Sequence, residues 1–456
     1  MTTPRPDLSG PAFSPGTGPA PTWAGTPAAD RRDATRQHRG ERPRVGLVGF
    51  FGWGNFGDEL FLRLWRQRLS AHFEVDPVHQ LLQPPYVVGD PGEVAEAYDA
   101  FLIGGGDLLL PNQVSTLYWK PEWLRKKVYI CGVGAPLWKH RERESVVEHL
   151  SEFFRHPNVQ YISARDEESA AWIRDRLRPH QPVVVHPDLV FALDLPPVAD
   201  DDGTRRLGFS VRPGLYGQEN DYSALHRLVE AARQSGYAIT ALELSSGRQR
   251  RRDRQAYRHL PFTPDEFIPS RGVLEDTAAI GRMDVMASMK FHGLVVALMY
   301  GLSALALTPN TKSRNLLHQI GRPDLVLDPA PAADGDELSG GDLLSRLQEP
   351  VDTRRIEALV DTAGAALDRL VWQMRLQLAP GDVGADLLRH PVRTARQALP
   401  LALELRRRQG EVRQLQEAAS AEGPEGEDGP RDGSGPGSGT RIPVESRQMP
   451  EGPPDA

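Results

Sequence analysis

Cysteine is nearly absent from this chain: Cys131 is the single one in 456 residues. That excludes an internal disulfide framework and any zinc site built on several cysteines, and it suits a reducing cytoplasm. Long apolar runs are missing too. No stretch approaches the roughly 18 apolar residues that a membrane-spanning helix needs. The opening MTTPRPDLSG has no basic start leading into an apolar core, so neither a signal peptide nor a transmembrane helix is expected. A surplus of positive charge is also absent. The formal charge is −7, whereas a general nucleic-acid binder needs a basic face, so nucleic acid is not an expected partner. These absences together describe a soluble cytoplasmic protein.

Proline and glycine, by contrast, are plentiful at 40 and 43 residues. They crowd both ends. Residues 1–42 and 419–456 are low in large apolar side chains and cannot bury enough surface to offset the entropy of ordering, so two disordered tails are expected. Between the tails the pattern alternates. Strand-like apolar runs at Arg44–Phe50, Ala100–Ile103, Val128–Val133, Gln160–Ala164 and Val183–His186 are separated by helical spacing, as in Asp58–Ser70, Arg141–Arg155 and Asp166–Leu177. A polar linker, Leu195–Thr204, follows. The alternation then resumes with strands at Arg206–Val211, Tyr237–Leu244, Val285–Ser288 and Ser303–Leu307, and helices at Tyr222–Gln234, Leu274–Arg282, Gly293–Tyr300 and Ser313–Ile320.

Such alternation implies parallel sheets covered on both faces. The expected fold class is α/β, with two Rossmann-like doubly wound domains, 43–195 and 205–350, facing a cleft between the carboxyl ends of their strands. Open sheets of this kind bind ligands there. Residues 351–418 read as a helical extension interrupted at Pro380, Pro391 and Pro400. Within it, Ala402–Gln416 fits a solvated helix; a short coiled coil and a peripheral contact with anionic lipid are the alternatives.

Several strand ends carry residues suited to chemistry. Gly52, Gly54 and Gly57, with Asn55 among them, stand between a strand and a helix at the spacing G-x-G-x-x-G. Glycine lets backbone approach a ligand closely, and a helix N-terminus offers amides to an anion. No acidic ribose contact follows about twenty residues on, because Asp76 precedes a proline, so this is not read as an NAD site. A tight turn is the bland alternative. Further glycine turns, Gly104-Gly105-Gly106-Asp107 and Gly132-Val133-Gly134, fall on the same sheet edge and fit backbone nests for anionic oxygens. Arg165 ends a strand and suits a carboxylate, with pairing to a nearby aspartate as the alternative; Asp166 caps the helix that follows.

In the second half, Lys290 and His292 sit at a strand-to-helix junction, where an imidazole can exchange protons near neutral pH and a lysine can hold phosphate or carboxylate. A lone histidine is more often structural, and its position at this junction is what singles it out. Thr308–Lys312 repeats the arrangement, ending in Lys312. The run Arg248–Arg254 reads as a solvated helix face or as a contact for a phosphorylated lipid or anionic glycan. No metal-ligand cluster is evident.

In this order, the segments resemble the polysaccharide pyruvyl transferase family. The carriers are Phe50 to Glu59, Gly104 to Gly106, Arg165-Asp166 with Ser169, Pro187-Asp188, Ser288 to His292 and Lys312. The chain departs from the family at one motif, with Lys290 and Phe291 where an Arg-Leu pair is usual. Lysine keeps the charge and loses the bidentate fork. The resemblance implies a GT-B-like architecture, phosphoenolpyruvate as donor substrate without a cofactor, and a glycan or lipid-linked oligosaccharide acceptor. It implies catalytic roles for His292, Lys290 and Asp58, with His292 as general acid and Asp58 or Asp107 taking the hydroxyl proton. Substrate contacts are expected at Gly52, Gly54, Asn55, Gly57, Gly104, Gly105, Gly106, Asp107, Arg165 and Lys312. A nucleotide-sugar glycosyltransferase of the GT-B kind and a non-catalytic glycan-binding relative are the rival readings.

Overall fold

The structure, a computed structural model, describes residues 42–79, 87, 89–137, 141–198, 202–214, 220–327 and 338–389, with 397, 400–408, 410, 411 and 414. Apart from Arg42, the two tails expected to be disordered lie outside the described residues.

The first domain contains six strands: β1 Arg44–Val48, β2 Glu74–Pro77, β3 Ala100–Gly106, β4 Lys127–Val133, β5 Val159–Ala164 and β6 Val183–Val185. All pair in parallel, in the order β2-β1-β3-β4-β5-β6. Helices α1 Phe56–Leu69, α2 Pro91–Glu96, α3 Glu144–Arg155 and α4 Glu167–Trp172 connect them. The second domain has β7 Arg206–Ser210, β8 Ala238–Leu242, β9 Glu266–Ile268, β10 Val285–Ser288 and β11 Ser303–Ala306, again parallel, in the order β11-β10-β7-β8-β9. Its helices are α5 Ser223–Gln234, α6 Gly247–Arg258, α7 Val273–Gly281, α8 Phe291–Met299, α9 Thr311–Gln319 and α10 Gly340–Gln348.

The fold class read from the alternation is therefore what is found: two doubly wound α/β domains in a GT-B-like pair. Central strands form because their side chains are apolar on both faces; β3 is buried along its whole length. The strands β2 and β9 escaped the sequence reading because they are edge strands, half exposed and carrying Glu74, Asp76 and Glu266. Each sheet reverses its winding once, between β1 and β3 and between β7 and β10. Those switch points are where such sheets hold ligands.

Helices α11 Thr353–Leu378 and α12 Pro380–Arg389 follow. Pro380 opens α12, where a missing amide costs nothing. α11 returns to the first domain: the Tyr129 hydroxyl donates to Gln377 Oε1 at 2.7 Å and Gln373 Nε2 donates to the Gln160 carbonyl at 2.7 Å. One apolar core accordingly runs from Leu60 and Phe61 through Val190 and Phe191 to Val295 and Met374, and a second fills the other face of the first sheet around Phe101, Trp123 and Phe154. Among the described residues, no helix is long and apolar enough to cross a membrane.

The domains also meet directly. Ser246 N donates to the Gly54 carbonyl at 2.9 Å, Gln249 N to the Trp53 carbonyl at 3.3 Å, and Asn55 bridges Ser245 in antiparallel fashion.

Candidate active site at the domain seam

The loop after β1 is held by its own acids. Asn55 caps α1, its Oδ1 accepting from Gly57 N at 3.0 Å. Glu59 turns back so that its Oε1 accepts from Gly52 N at 2.7 Å and Gly54 N at 3.2 Å. Burial pushes the Glu59 carboxyl up, and the two amides offset only part of that. The amides expected to meet a ligand anion at Gly52, Gly54 and Gly57 are thus engaged within the chain. The turn at Gly132–Gly134 behaves alike: Gly132 N donates to Ser163 Oγ at 3.0 Å and Gly134 N to the Gly106 carbonyl at 2.9 Å. The glycines serve close approach instead. Gly54 has φ of +96°, and a Cβ there would lie 2.0 Å from the Ser246 carbonyl oxygen of the other domain.

Past these turns the charged side chains converge. Asp107 follows β3 directly and pairs with Arg165, which follows β5 and also lies 3.6 Å from Asp166 Oδ2. Asp166 caps α4 as expected, accepting from Ser169 N at 2.7 Å. From the second domain, Lys312 in the first turn of α9 brings its Nζ to 2.5 Å from Asp107 Oδ2. Asp107 is therefore bracketed by one cation from each domain.

A second pair crosses the seam nearby. His292 lies inside the first turn of α8, which begins at Phe291 and not after the histidine as the sequence suggested. Its Nε2 is 3.5 Å from Asp188 Oδ2, while Asp188 Oδ1 accepts from Val190 N at 2.9 Å. The imidazole sits edge-on to Phe61, with ring centroids 5.6 Å apart. On its other side, a Cβ on Gly57 would fall 2.0 Å from Nδ1, so only glycine lets α1 and this ring meet.

The aspartates respond to these surroundings in opposite ways. Burial, followed by the neighbouring Glu59, pushes the Asp58 carboxyl well above its usual range, and the pull of Lys312 and Arg165 does not restore it. Burial also works to raise Asp188, but His292, Arg165 and the Val190 amide outweigh it and hold the group below its ordinary value. Buried polar atoms without a hydrogen-bond partner include Asp58 Oδ2 and Arg165 Nη1, while Asp188 Oδ2 and His292 Nε2 have each other at 3.5 Å. Folded proteins leave few such atoms, and these keep hydrogen-bonding capacity for a ligand or for water.

Lys290 is not part of this group. Its ammonium pairs with Asp253 of α6 and donates to the Leu244 carbonyl at 3.2 Å, inside the second domain. The turn at Ser288, whose Oγ accepts from Lys290 N at 3.0 Å, sends residues 290 and 292 to different neighbours. Lys312 stands at the seam where Lys290 was expected. Sequence reasoning noted Asp188 only as part of a Pro-Asp pair and Glu59 only as the end of a motif, and it passed over Asp253. Their signals were present: Asp188 precedes an apolar turn, and Asp253 is the one acid in the arginine run. Among the described residues, no group of three or more His, Cys, Asp and Glu side chains is placed to hold a metal ion.

The sequence model described as polysaccharide pyruvyl transferase matches residues 55–311, more than half of the chain. That span runs from the α1 cap to the first residue of α9 and stops one short of Lys312. No curated protein matches the chain in sequence. Among solved structures, the chain is similar to the MnaA–UDP co-structure from S. aureus, at 11% identity and a TM-score of 0.44, covering 74% of this chain and 97% of that one. It is similar also to the UDP-GlcNAc 2-epimerase from Neisseria meningitidis bound to UDP-GlcNAc, at 11% identity and a TM-score of 0.44, covering 72% and 98%.

Proposed function

The chain belongs to the polysaccharide pyruvyl transferase family, and on that premise we propose that it moves a pyruvyl group from phosphoenolpyruvate to a hydroxyl pair of a glycan or lipid-linked oligosaccharide, closing a ketal in cytoplasmic steps of cell-surface polysaccharide synthesis. The observation that carries this reading is the meeting, across one seam, of Arg165, Lys312, His292 and Asp58, with unsatisfied polar atoms on Arg165 and Asp58.

Phosphoenolpyruvate is small and bears a phosphate and a carboxylate. Arg165 and Lys312, one from each domain, are the groups to receive them, the guanidinium offering a planar fork. His292 protonates the methylene carbon, so that this carbon becomes a methyl group and positive charge develops at C2. The first hydroxyl adds to C2. Asp58 takes its proton, since a carboxylate with raised proton affinity is the stronger base. The second hydroxyl then displaces phosphate from C2, and its proton leaves with the phosphate. Return of the Asp58 proton to His292 closes the cycle, and the balanced reaction consumes no cofactor.

The test is release of inorganic phosphate from phosphoenolpyruvate in the presence of fractionated cell-envelope glycans. His292→Ala is expected to slow it by about 10² to 10⁴-fold, the usual contribution of a positioned acid. Equal release by the variant and the wild type overturns the assignment.

A further inference from the structure

The arginine-rich helix α6 divides its charges between two faces. Half-buried Arg250 and exposed Arg254 reach back to the domain, their Nε atoms 3.3 Å and 2.7 Å from the carboxylate of buried Glu243, and Asp253 pairs with Lys290. The outward face carries Arg248, Arg251 and Arg258, exposed, with half-buried Arg252 beside them. Their spacing of three and four places them on one side of the helix. Among the described residues, none of these four arginines makes an ion pair. At 1.5 Å per residue the stripe is about 15 Å long. It stands on a chain whose formal charge is −7, so it is not part of a generally basic surface.

The stripe starts at the active-site seam. Arg248 lies over the Trp53 ring, 5.1 Å from its centroid, and the first turn of α6 is bonded to the Gly54 and Trp53 carbonyls at 2.9 Å and 3.3 Å. The same loop reaches Gly57, against which His292 packs. A ligand lying along α6 therefore ends beside the loop that leads to Gly57, the residue packed against His292.

We propose that the outer face of α6 binds the anionic backbone of an extended acceptor, a glycan carrying phosphodiester charges, and leads its sugar past Trp53 to the seam. The name acceptor rests on the pyruvyl-transfer reading; the binding does not. A single file of unpaired cations fits a linear polyanion. A membrane surface fits less well, because the outward positions of α6 include no large apolar side chain to enter a bilayer.

The experiment titrates the full chain with poly(glycerol phosphate), with neutral dextran, and with vesicles of phosphatidylglycerol and phosphatidylcholine, at low and high salt, by calorimetry. The polymer is expected to bind in a salt-sensitive way and dextran not to bind. Arg251→Glu with Arg258→Glu weakens polymer binding by about tenfold, and Arg251→Ala with Arg258→Ala gives a smaller loss in the same direction should the reversal fail to fold. His292→Ala binds the polymer as the wild type does. The proposal is overturned by polymer affinity that both double variants leave unchanged, or by binding to vesicles without binding to the polymer. Polymer binding without phosphate release from phosphoenolpyruvate sinks the transfer reading alone.

Discussion

Along the carboxyl edge of the first sheet stand Asp58, Asp107, Asp166 and Asp188, with Arg165 among them; from the facing edge of the second come Lys312 and His292. The second domain has buried acids of its own, Glu243 and Asp253, but answers them internally with Arg250, Arg254 and Lys290. One domain thus balances its charges alone, while the other leaves carboxylates to be met from across the seam. The contrast explains why Lys290 is occupied and Lys312 is at the site. It also makes assembly of the site depend on the two domains lying together, because the Asp107–Lys312 and Asp188–His292 pairs each need both.

Removing Asp107 breaks this comparison most severely. Asp107→Ala takes a carboxylate away from buried Arg165 and half-buried Lys312, and breaking a buried pair by removing one member costs about 3–5 kcal/mol. Denaturant unfolding of the variant is expected to show a loss of that size. A loss no larger than a surface pair gives, under about 1 kcal/mol, means that Arg165 and Lys312 do not depend on the first domain's carboxylate.

Gly57→Ala separates the function of the seam from its stability. The backbone there is helical and alanine is the better helix former by about 1 kcal/mol, but its Cβ would lie 2.0 Å from His292 Nδ1. The ring must move. Phosphate release is expected to fall by about 10²-fold, as misplacing a reacting group by an ångström does, while the melting temperature stays near that of the wild type. A variant that melts early and turns over normally reverses the roles assigned to this contact.

The sheets were legible because buried parallel strands are continuous apolar runs that stop at glycines, as in RVGLVGF and AFLIGGG. Edge strands β2 and β9 were not, since acidic residues break their runs, whereas the edge strand β6 is the unbroken run VVV. At the site, sequence located the sheet edge without the direction of each side chain. Lys290 and Lys312 both follow strand ends, and only the fold decides that one pairs inward with Asp253 and the other reaches Asp107. The glycine turns read as anion cradles because sequence cannot tell whether an amide is already taken. Here the acceptor for Gly52 and Gly54 is Glu59, within the same motif. Asp188 was visible as a residue but not as a partner, because its role depends on a histidine from the other domain.

The finest distinction lies within the first domain's own carboxylates, between Asp188, which has a partner across the seam, and Asp58, whose Oδ2 has none. A carboxyl whose proton affinity is raised by folding binds more protons folded than unfolded between its ordinary pKa and its raised one. Stability therefore falls as pH rises through that window and levels off above it. Asp58 is such a group, mainly through burial. Asp58→Asn keeps the shape and removes the titration, so the variant should gain on the wild type as pH rises through the same window. Below the ordinary carboxylate pKa, where Asp58 is protonated in both states, this advantage disappears. Melting curves from pH 4 upward test this, and phosphate release should fall as stability rises, because the proposed base is gone. A gap that stays constant with pH, or that favours the wild type near neutrality, would mean that Lys312 and Arg165 stabilise the Asp58 anion after all. The partnered and unpartnered carboxylates would then be alike, and the seam would hold every one of its acids charged.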